Sequence, residues 1–355
     1  MSSSNSAADI VMAAERKLAL SSVPPIGLGC MNLSHAYDNP PPAEVGIGIL
    51  HKAMDLGIIH FDVAALYGFG RNEKLVGPVL KPHRDRIFLV SKGGMTGVDG
   101  KRVIDGRPES LLRDIEDSLR RLQTDVLDLY YLHRWDKNVP IEDSIGALSH
   151  LVDAGKVKAL GLSEVSAKTL MRAHAVHPIA AVQSEYSLWS RNVEVGVLDA
   201  CAQIGAAFVA FSPLARGFLT DVDIVPDEFA EKDIRRGMPR FQEPHFSKNI
   251  ILLPAFRQIA EEASCTAAQL SLAWLLHRAP HIHVIPGTTS ADHLEENFNA
   301  AEISLGEETI RTLDDLVNPA TISGPRYPVA TQAEIDTEEL PARTLSPRGQ
   351  TSGQA

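Results

Sequence analysis

Ile58-Ile59-His60-Phe61-Asp62 is the first of three stretches that decide the fold of this chain, because an apolar run ends there in an acidic residue. The second run, residues 87–90, leads to Lys92, and the third, residues 126–132, leads to His133. Short apolar runs between turn residues and helical stretches indicate buried parallel strands. Because such strands end at one edge of a sheet, we expect Asp62, Lys92 and His133 to lie together, with Tyr67 close behind the first run.

Strand-like runs alternate with helix-like segments over most of the chain, which is typical of a parallel α/β fold. The sequence predicts eight strands, at residues 26–29, 58–61, 87–90, 126–132, 157–162, 179–183, 207–211 and 282–285. Helices are predicted to begin near Ala43, Asn72, Glu109, Ile141, Ser166, Val193, Lys248 and Ala291. No Gly-x-Gly-x-x-Gly fingerprint follows the first strand, so the pattern favours a (β/α)8 TIM barrel over an open doubly wound sheet.

The barrel is predicted to be a single domain at residues 17–318. Residues 1–16 are interpreted as a flexible N-terminal segment and residues 319–355 as a partly disordered C-terminal tail, with disorder expected beyond about Asp336. Two longer segments, residues 93–107 and 220–247, follow the third and seventh strands. Because loops at the carboxyl ends of barrel strands surround the active site, we expect both to line its mouth.

The composition excludes several classes of protein. Among 355 residues, 34 are basic and 45 acidic, and the net charge of −11 argues against nonspecific binding to nucleic acid. The three cysteines show no paired spacing, so we predict no zinc site and no disulfide framework, and a reducing cytoplasm fits best. No apolar stretch approaches the ~18 residues of a membrane span, and the N-terminus does not have the pattern of a secretory signal.

The motifs around the strand ends resemble those of the aldo-keto reductases. The first signature is matched by Phe61-Asp62-Val63-Ala64-Ala65-Leu66-Tyr67-Gly68, the second by Val90-Ser91-Lys92-Gly93 and the third by Leu129-Tyr130-Tyr131-Leu132-His133-Arg134. The similarity continues through residues 161–163, 183–186, 211–214 and 285–288, and covers roughly residues 17–318. It implies a (β/α)8 barrel, reduction of a small-molecule carbonyl or oxidation of an alcohol with a nicotinamide cofactor, and a monomer by default.

The four polar residues suit proton transfer to a carbonyl oxygen, and the resemblance implies the same roles. Tyr67 would donate the proton, although its ordinary pKa of ~10 makes the phenolate costly to form. An ammonium at Lys92 would stabilise that phenolate and lower the pKa, and Asp62 would hold Lys92 in place. His133 would orient the phenol or the substrate oxygen. A metal-dependent barrel using His60, Asp62 and His133 is the alternative, but no tight pair of histidines supports a metal site.

The resemblance also assigns cofactor contacts. They are Ser163, Gln183, Phe211, Ser212, Leu214, Gly217, Gly287, Thr288, Ser290, His293, Glu296 and Asn297. The family more often has Asn where Glu164 follows Ser163 here, which leaves that contact open. The helix start after Gly287 suits a 2′-phosphate. The resemblance implies NADP as the cofactor, with NAD possible because neither Lys nor Arg stands between Gly287 and His293.

Substrate identity is the part of the function that the motifs do not reach. Met31 and Trp135 are the candidate substrate contacts, whereas Trp189 and Arg191 are interpreted as structural. Cys30 is interpreted as a buried, inert thiol. A second hypothesis makes the chain a cofactor-binding regulatory subunit of a partner complex, with little turnover of its own.

Overall fold

The computed structural model describes residues 14–37, 39–98 and 100–340, and its centre is one sheet of eight parallel strands. In chain order the strands are β1 (Arg16–Leu18), β2 (Ser21–Val23), β3 (Leu28–Gly29), β4 (His60–Asp62), β5 (Phe88–Gly93), β6 (Met95–Val98), β7 (Lys101–Ile104), β8 (Leu129–Leu132), β9 (Leu160–Ser163), β10 (Ile179–Glu185), β11 (Ala207–Phe211) and β12 (Ile282–Val284). The large sheet has the order β3-β4-β5-β8-β9-β10-β11-β12.

Hydrogen bonds between the first and last strands close this sheet into a barrel. The amide of Gly27 donates to the carbonyl of Val284 (2.9 Å), and the amide of Gly29 donates to that of Pro286 (3.1 Å). A side chain at Gly29 would place its Cβ 2.7 Å from the carbonyl oxygen of Ile285, so the closure depends on glycine there. Each of the eight runs predicted as a strand overlaps an observed one, and the (β/α)8 prediction is confirmed.

Helices cover the outside of the barrel. Their bounds are α1 (Ala43–Asp55), α2 (Arg71–Leu80), α3 (Pro108–Leu122), α4 (Ile141–Asp153), α5 (Ala167–Val176), α6 (Val197–Ile204), α7 (His245–Ile250), α8 (Leu253–Glu262), α9 (Ala267–Arg278), α10 (Ala291–Asn299), α11 (Glu307–Leu316) and α12 (Val329–Ala333). Each predicted helix start falls at or near an observed one. In α3, a proline in the first turn starts the helix, and Leu111, Ile115, Leu119 and Leu122 form its buried face.

A hairpin formed by β1 and β2 plugs the amino-terminal end of the barrel. Leu18 and Val23 are fully buried and pack with Phe88 and Leu129 inside the barrel. The guanidinium of Arg16 donates to three main-chain carbonyls around the last strand. The sequence analysis did not predict this hairpin. Of the segment expected to be flexible, residues 1–13 lie outside the described residues, and Arg16 begins a strand.

The segments interpreted as long loops contain structure of their own. Residues 93–107 hold the antiparallel hairpin of β6 and β7, and residues 220–247 are a series of short helical turns that leads into α7. The C-terminal segment packs on the barrel, where Asp336 accepts hydrogen bonds from Ser166 and Glu338 accepts one from the amide of Ala167 (2.6 Å). The expectation of disorder beyond Asp336 is therefore wrong for residues 337–338, and residues 341–355 lie outside the described residues. Within the described ranges, no helix combines the length and apolarity of a membrane crossing.

Candidate active site

A cavity of about 870 Å³ lies at the carboxyl ends of the barrel strands. The side chains or main chain at the ends of seven strands line it, namely Gly29, Asp62, His133, Ser163, Gln183, Phe211 and Ile285. The remaining strand of the barrel is β5. It contributes Lys92, which is fully buried directly beneath the cavity. This end of a (β/α)8 barrel is where active sites are built, because the loops that follow the strands converge there.

The predicted proton-transfer residues lie together. The Lys92 ammonium is ion-paired with the Asp62 carboxylate, and it also donates to the Val63 carbonyl (3.0 Å) and to the Tyr67 hydroxyl (3.1 Å). Strand register brings this about, because Asp62 in β4 lies opposite Val90 in β5, two residues before Lys92. The amide of Gln183 donates to the other oxygen of Asp62 (2.7 Å), which fixes the carboxylate from the opposite side of the barrel.

The charges of this cluster follow from burial and from the ion pair. Burial is the largest influence on Lys92 and opposes its charged form, but Asp62 and Tyr67 together outweigh it and raise the pKa of the ammonium above its ordinary value. Burial raises the pKa of Tyr67, and the nearby Lys92 offsets this only in part. Lys92 therefore lowers the pKa of Tyr67 as expected, but burial decides the direction of the net shift. At neutral pH, Tyr67 is a protonated phenol and Lys92 an ammonium.

His133 completes the group of four. Its amide donates to the carbonyl of Gly93 (2.9 Å), and its ring meets the ring of Tyr67 edge to face, with centroids 6.0 Å apart. Burial lowers the pKa of His133 well below its ordinary value, and the positive charges of Arg134 and Lys92 lower it further. The imidazole is therefore neutral at physiological pH, so one ring nitrogen can donate a hydrogen bond and the other can accept one.

Most of the expected cofactor contacts line the same cavity. They are Ser163, Gln183, Phe211, Ser212, Leu214, Gly217, Gly287, Thr288, His293, Glu296 and Asn297. Ser290 is the exception, since its side chain caps α10 by accepting from the amide of His293 (3.3 Å).

The residues at these positions fit a dinucleotide. Gly287 lines the cavity, and a Cβ there would lie 2.6 Å from Oδ1 of Asn32 and 2.8 Å from the carbonyl oxygen of Gly29, so glycine is needed for the close packing of this segment. Asn297 is buried beside the cavity, and its Oδ1 has no hydrogen-bond partner among the described residues. An exocyclic amino group such as that of adenine would supply the donor that this oxygen accepts.

Only one of the two expected substrate contacts lies at the cavity. Met31 lines the cavity, whereas Trp135 does not. The indole N–H of Trp135 donates to the carbonyl of Val139 (2.9 Å), and the guanidinium of Arg172 lies over its ring, 5.6 Å from the centroid. Trp135 is thus a packing residue outside the cavity, and its assignment as a substrate contact is wrong. Local sequence did not reveal this, because the chain turns away from the cavity directly after Arg134.

Glu164 points away from the cavity. It adopts a left-handed conformation (φ 54°) and is buried. Its carboxylate accepts from the guanidinium of Arg326 (2.7 Å), the hydroxyl of Thr337 (2.9 Å) and the amide of Glu185 (2.8 Å). The open contact at this position is therefore occupied by the C-terminal segment of the chain itself.

The sequence analysis missed several cavity residues. Arg134, Arg216 and Tyr327 all line the cavity. Arg134 follows His133 directly, so its place in the third signature was the available signal. Tyr327 lay in the segment interpreted as a tail, where no periodic pattern identified it.

Trp189, Arg191 and Cys30 lie outside the cavity, and the metal hypothesis can also be compared with the structure. No cluster of metal-ligating side chains occurs in residues 14–37, 39–98 or 100–340. Trp189 stacks on Phe218 with centroids 4.6 Å apart, and Arg191 is ion-paired with Glu194 and Asp314, so both are structural as predicted. Cys30 is fully buried, and burial raises the pKa of its thiol far above the ordinary range, as expected for an inert cysteine.

Comparison with known proteins agrees with this geometry. The model of the Aldo/keto reductase family matches residues 25–318. The chain is 41% identical over 335 residues to the aldo-keto reductase yakc [NADP(+)] of Schizosaccharomyces pombe, covering 92% of this chain and 98% of the relative. It is 39% identical over 305 residues to the probable aldo-keto reductase 1 of Glycine max, covering 85% and 88%.

Solved structures show the same similarity. The glycerol dehydrogenase AKR11B4 of Gluconobacter oxydans superimposes with a TM-score of 0.79 at 27% identity, covering 90% of this chain and 98% of that one. An aldo/keto reductase of Klebsiella pneumoniae, solved in complex with NADP and acetate, gives a TM-score of 0.67 at 28% identity, covering 89% and 99%.

Proposed function

The chain belongs to the aldo-keto reductase family, and we propose that it is an NADP-dependent oxidoreductase that converts aldehydes or ketones to alcohols, reversibly, with Tyr67 as the proton donor. One observation carries the proposal: the Lys92 ammonium, ion-paired with Asp62, donates to the Tyr67 hydroxyl (3.1 Å) at the edge of the cavity. This arrangement places an acid and the charge that stabilises its conjugate base where a carbonyl oxygen can reach them.

The residues divide the work of proton transfer. When bound by the cavity residues from Ser163 to Asn297, a reduced nicotinamide would supply the hydride for the carbonyl carbon, and negative charge would develop on the oxygen. Tyr67 holds its proton at neutral pH and donates it to that oxygen. Lys92 then stabilises the phenolate, and Asp62 keeps Lys92 charged and in place. His133 is neutral and adjacent to Tyr67, so it can donate a hydrogen bond that orients the substrate oxygen. Alcohol oxidation reverses these steps, with the phenolate as the base.

The choice of NADP rests on the relatives and on the helix that follows Gly287. The S. pombe relative is named as NADP(+)-dependent, and the K. pneumoniae structure contains NADP. In this chain the start of α10, capped by Ser290, suits the 2′-phosphate. The nearby segment 287–293 supplies hydroxyls and His293 but neither Lys nor Arg, so we expect a modest preference. The ratio of kcat/KM with NADPH and NADH measures it, and a ratio below one would overturn the choice.

The deciding experiment follows absorbance of the reduced nicotinamide with purified protein and a panel of aromatic, aliphatic and sugar carbonyls. We expect turnover that Tyr67→Phe abolishes, with NADPH binding retained. The matched control is Tyr130→Phe, which removes a buried tyrosine hydroxyl of β8 that does not line the cavity. Turnover that survives in Tyr67→Phe would refute the assigned donor. Tight NADPH binding without any turnover would favour the regulatory role instead.

The proposal also covers the location of the protein, its oligomeric state and its partners. We propose that the protein acts as a cytoplasmic monomer on small-molecule carbonyls and alcohols, without a nucleic-acid or membrane partner. The net charge of −11 supports the exclusion of nucleic acid. Sedimentation of the purified protein at several concentrations tests the monomer, and a mass that doubles would contradict it.

A further inference from the structure

Four arginines line the cavity, and they differ in one respect. Three are ion-paired within the protein: Arg102 with Glu334, Arg216 with Glu185 at 2.8 Å, and Arg235 with Asp233 at 2.7 Å. Arg134 has no carboxylate within ion-pairing distance in the part of the chain that the structure describes. A half-buried cation without a counter-ion is uncommon, because desolvation of the charge is then uncompensated.

Arg134 is nevertheless held firmly in place. Its Nη1 donates to the carbonyl of His133 (2.6 Å) and to the hydroxyl of Ser163 (3.0 Å), which are two residues at the ends of neighbouring strands. Its Nε and Nη2 make no hydrogen bond to any of the described residues, and neither atom is sealed off from solvent as a buried orphan. One side of the guanidinium is thus anchored, while the other donors remain available to the cavity.

The position relative to the catalytic group is also defined. Arg134 directly follows His133, and its positive charge lowers the pKa of both His133 and Tyr67, which places it within electrostatic reach of the proton donor. Of the acidic residues that line the cavity, Asp62 is neutralised by Lys92, and the others lie in the segment after β11 and in α10, namely Asp221, Asp223, Glu228 and Glu296. An anion on the substrate would therefore meet an unbalanced positive charge close to the reacting carbonyl.

We propose that Arg134 binds a carboxylate of the substrate, so that the preferred substrates are aldehydes or ketones that bear a carboxylate a few atoms from the carbonyl. The guanidinium geometry suits such a group, since two parallel N–H donors match two carboxylate oxygens. The inference rests on the proposed function, because it names the class of substrate for the same site. The resemblance assigns Ser163 to the nicotinamide, which carries no anionic group for Arg134 to bind. The hydroxyl of Ser163 accepts a hydrogen bond from the anchored side of Arg134, so its other side is left for the substrate.

The test compares succinic semialdehyde with its methyl ester, which has nearly the same shape without the charge. We expect wild-type kcat/KM to favour the acid by roughly 10- to 100-fold, the range of a hydrogen bond to a charged group. Arg134→Met should reduce this ratio to about one, and Arg134→Lys should keep only part of it, because lysine cannot bind both oxygens. The matched control is Arg120→Met, which removes a surface arginine that is ion-paired with Asp117 outside the cavity and should keep the wild-type ratio.

Two results would overturn the proposal: a wild-type ratio near one, or an Arg134→Met variant that loses both substrates equally. Benzoate and benzamide, measured by calorimetry in low-chloride buffer with and without NADP, give an independent decision. We expect benzoate to bind more tightly than benzamide and Arg134→Met to remove the difference. If no carbonyl is turned over, the proposed function fails. The calorimetry still decides whether Arg134 binds a carboxylate, because it requires no turnover. Equal binding of benzoate to wild type and variant would refute it.

Discussion

The ammonium of Lys92 lies 3.1 Å from the hydroxyl of Tyr67 and donates a hydrogen bond to it. The other two protons of the ammonium point to the carboxylate of Asp62 and to the carbonyl of Val63, so all three donors have acceptors. The group is fully buried and has little freedom to turn. Its charge is therefore fixed beside the phenol, where it would stabilise the phenolate in the proposed proton transfer.

The pH dependence of the two reaction directions follows from this contact. Burial keeps the pKa of Tyr67 above its ordinary value, so the phenol is protonated below that pKa and deprotonated above it. We expect kcat for carbonyl reduction to stay level from about pH 6 to 9 and to fall only above about pH 10. We expect kcat for alcohol oxidation to rise about tenfold per pH unit over the same range, since it needs the rare phenolate. Deuterated NADPH identifies the conditions under which hydride transfer limits the rate. An oxidation rate that levels off near pH 7 would show that Lys92 outweighs burial.

The buried pair of Asp62 and Lys92 should respond differently to single and double substitution. Asp62→Asn leaves a buried ammonium without its anion, which costs about 3–5 kcal/mol of unfolding free energy. The double variant Asp62→Asn, Lys92→Met removes both charges and should recover part of that stability. Neither protein should turn over substrate at the wild-type rate, because Tyr67 has lost its ordered partner in both. Urea unfolding gives the free energies, and a double variant no more stable than the single one would contradict the expected effect of the lone charge.

The ion pair of Glu164 and Arg326 anchors the C-terminal segment, defined as residues 326–338, to the end of strand β9. Tyr327 and Thr331 of this segment line the cavity. We expect Arg326→Met to speed amide hydrogen exchange in the segment by about 10- to 100-fold, because Glu164 is left buried without its cation. The KM for carbonyl substrates should rise as well. The control is Arg120→Met, which breaks a surface ion pair with Asp117 outside the cavity. Unchanged exchange in Arg326→Met would show that the other contacts suffice.

The same ion pair shows where sequence-based prediction ended. The barrel and the catalytic group could be predicted because their determinants are local: apolar runs specify strands, and parallel strands bring Asp62, Lys92 and His133 to one edge. The partner of Glu164 lies 162 residues away in a segment without periodicity, so no local pattern identified it. Trp135 failed for a similar reason, since the motif fixed the end of the strand but not the direction of the chain beyond it.

His60 forms the start of β4, deep in the barrel and away from the cavity. It is fully buried, and neither of its ring nitrogens has a hydrogen-bond partner among the described residues. Its ring meets that of Phe88 edge to face, with centroids 5.6 Å apart. Burial, with a smaller contribution from the charge of Lys92, lowers the pKa of His60 to about 3, and Asp128 opposes this shift in part. His283 has a pKa lowered to about 3 as well, again mainly by burial.

His60 makes the free energy of unfolding decrease as the pH falls. Between its ordinary pKa of ~6.5 and about 3, the unfolded chain binds a proton that the folded barrel does not, so acid favours unfolding. Between pH 7 and pH 4.5 we expect His60 to account for a loss on the order of 2–3 kcal/mol. His60→Leu cannot take up the proton and should flatten the pH dependence by that amount, measured by urea unfolding at both pH values. Phe88→Leu, which removes the neighbouring ring without a titrating group, should lower stability equally at both. If His60→Leu keeps the wild-type slope, the imidazole is already protonated or hydrated inside the folded barrel.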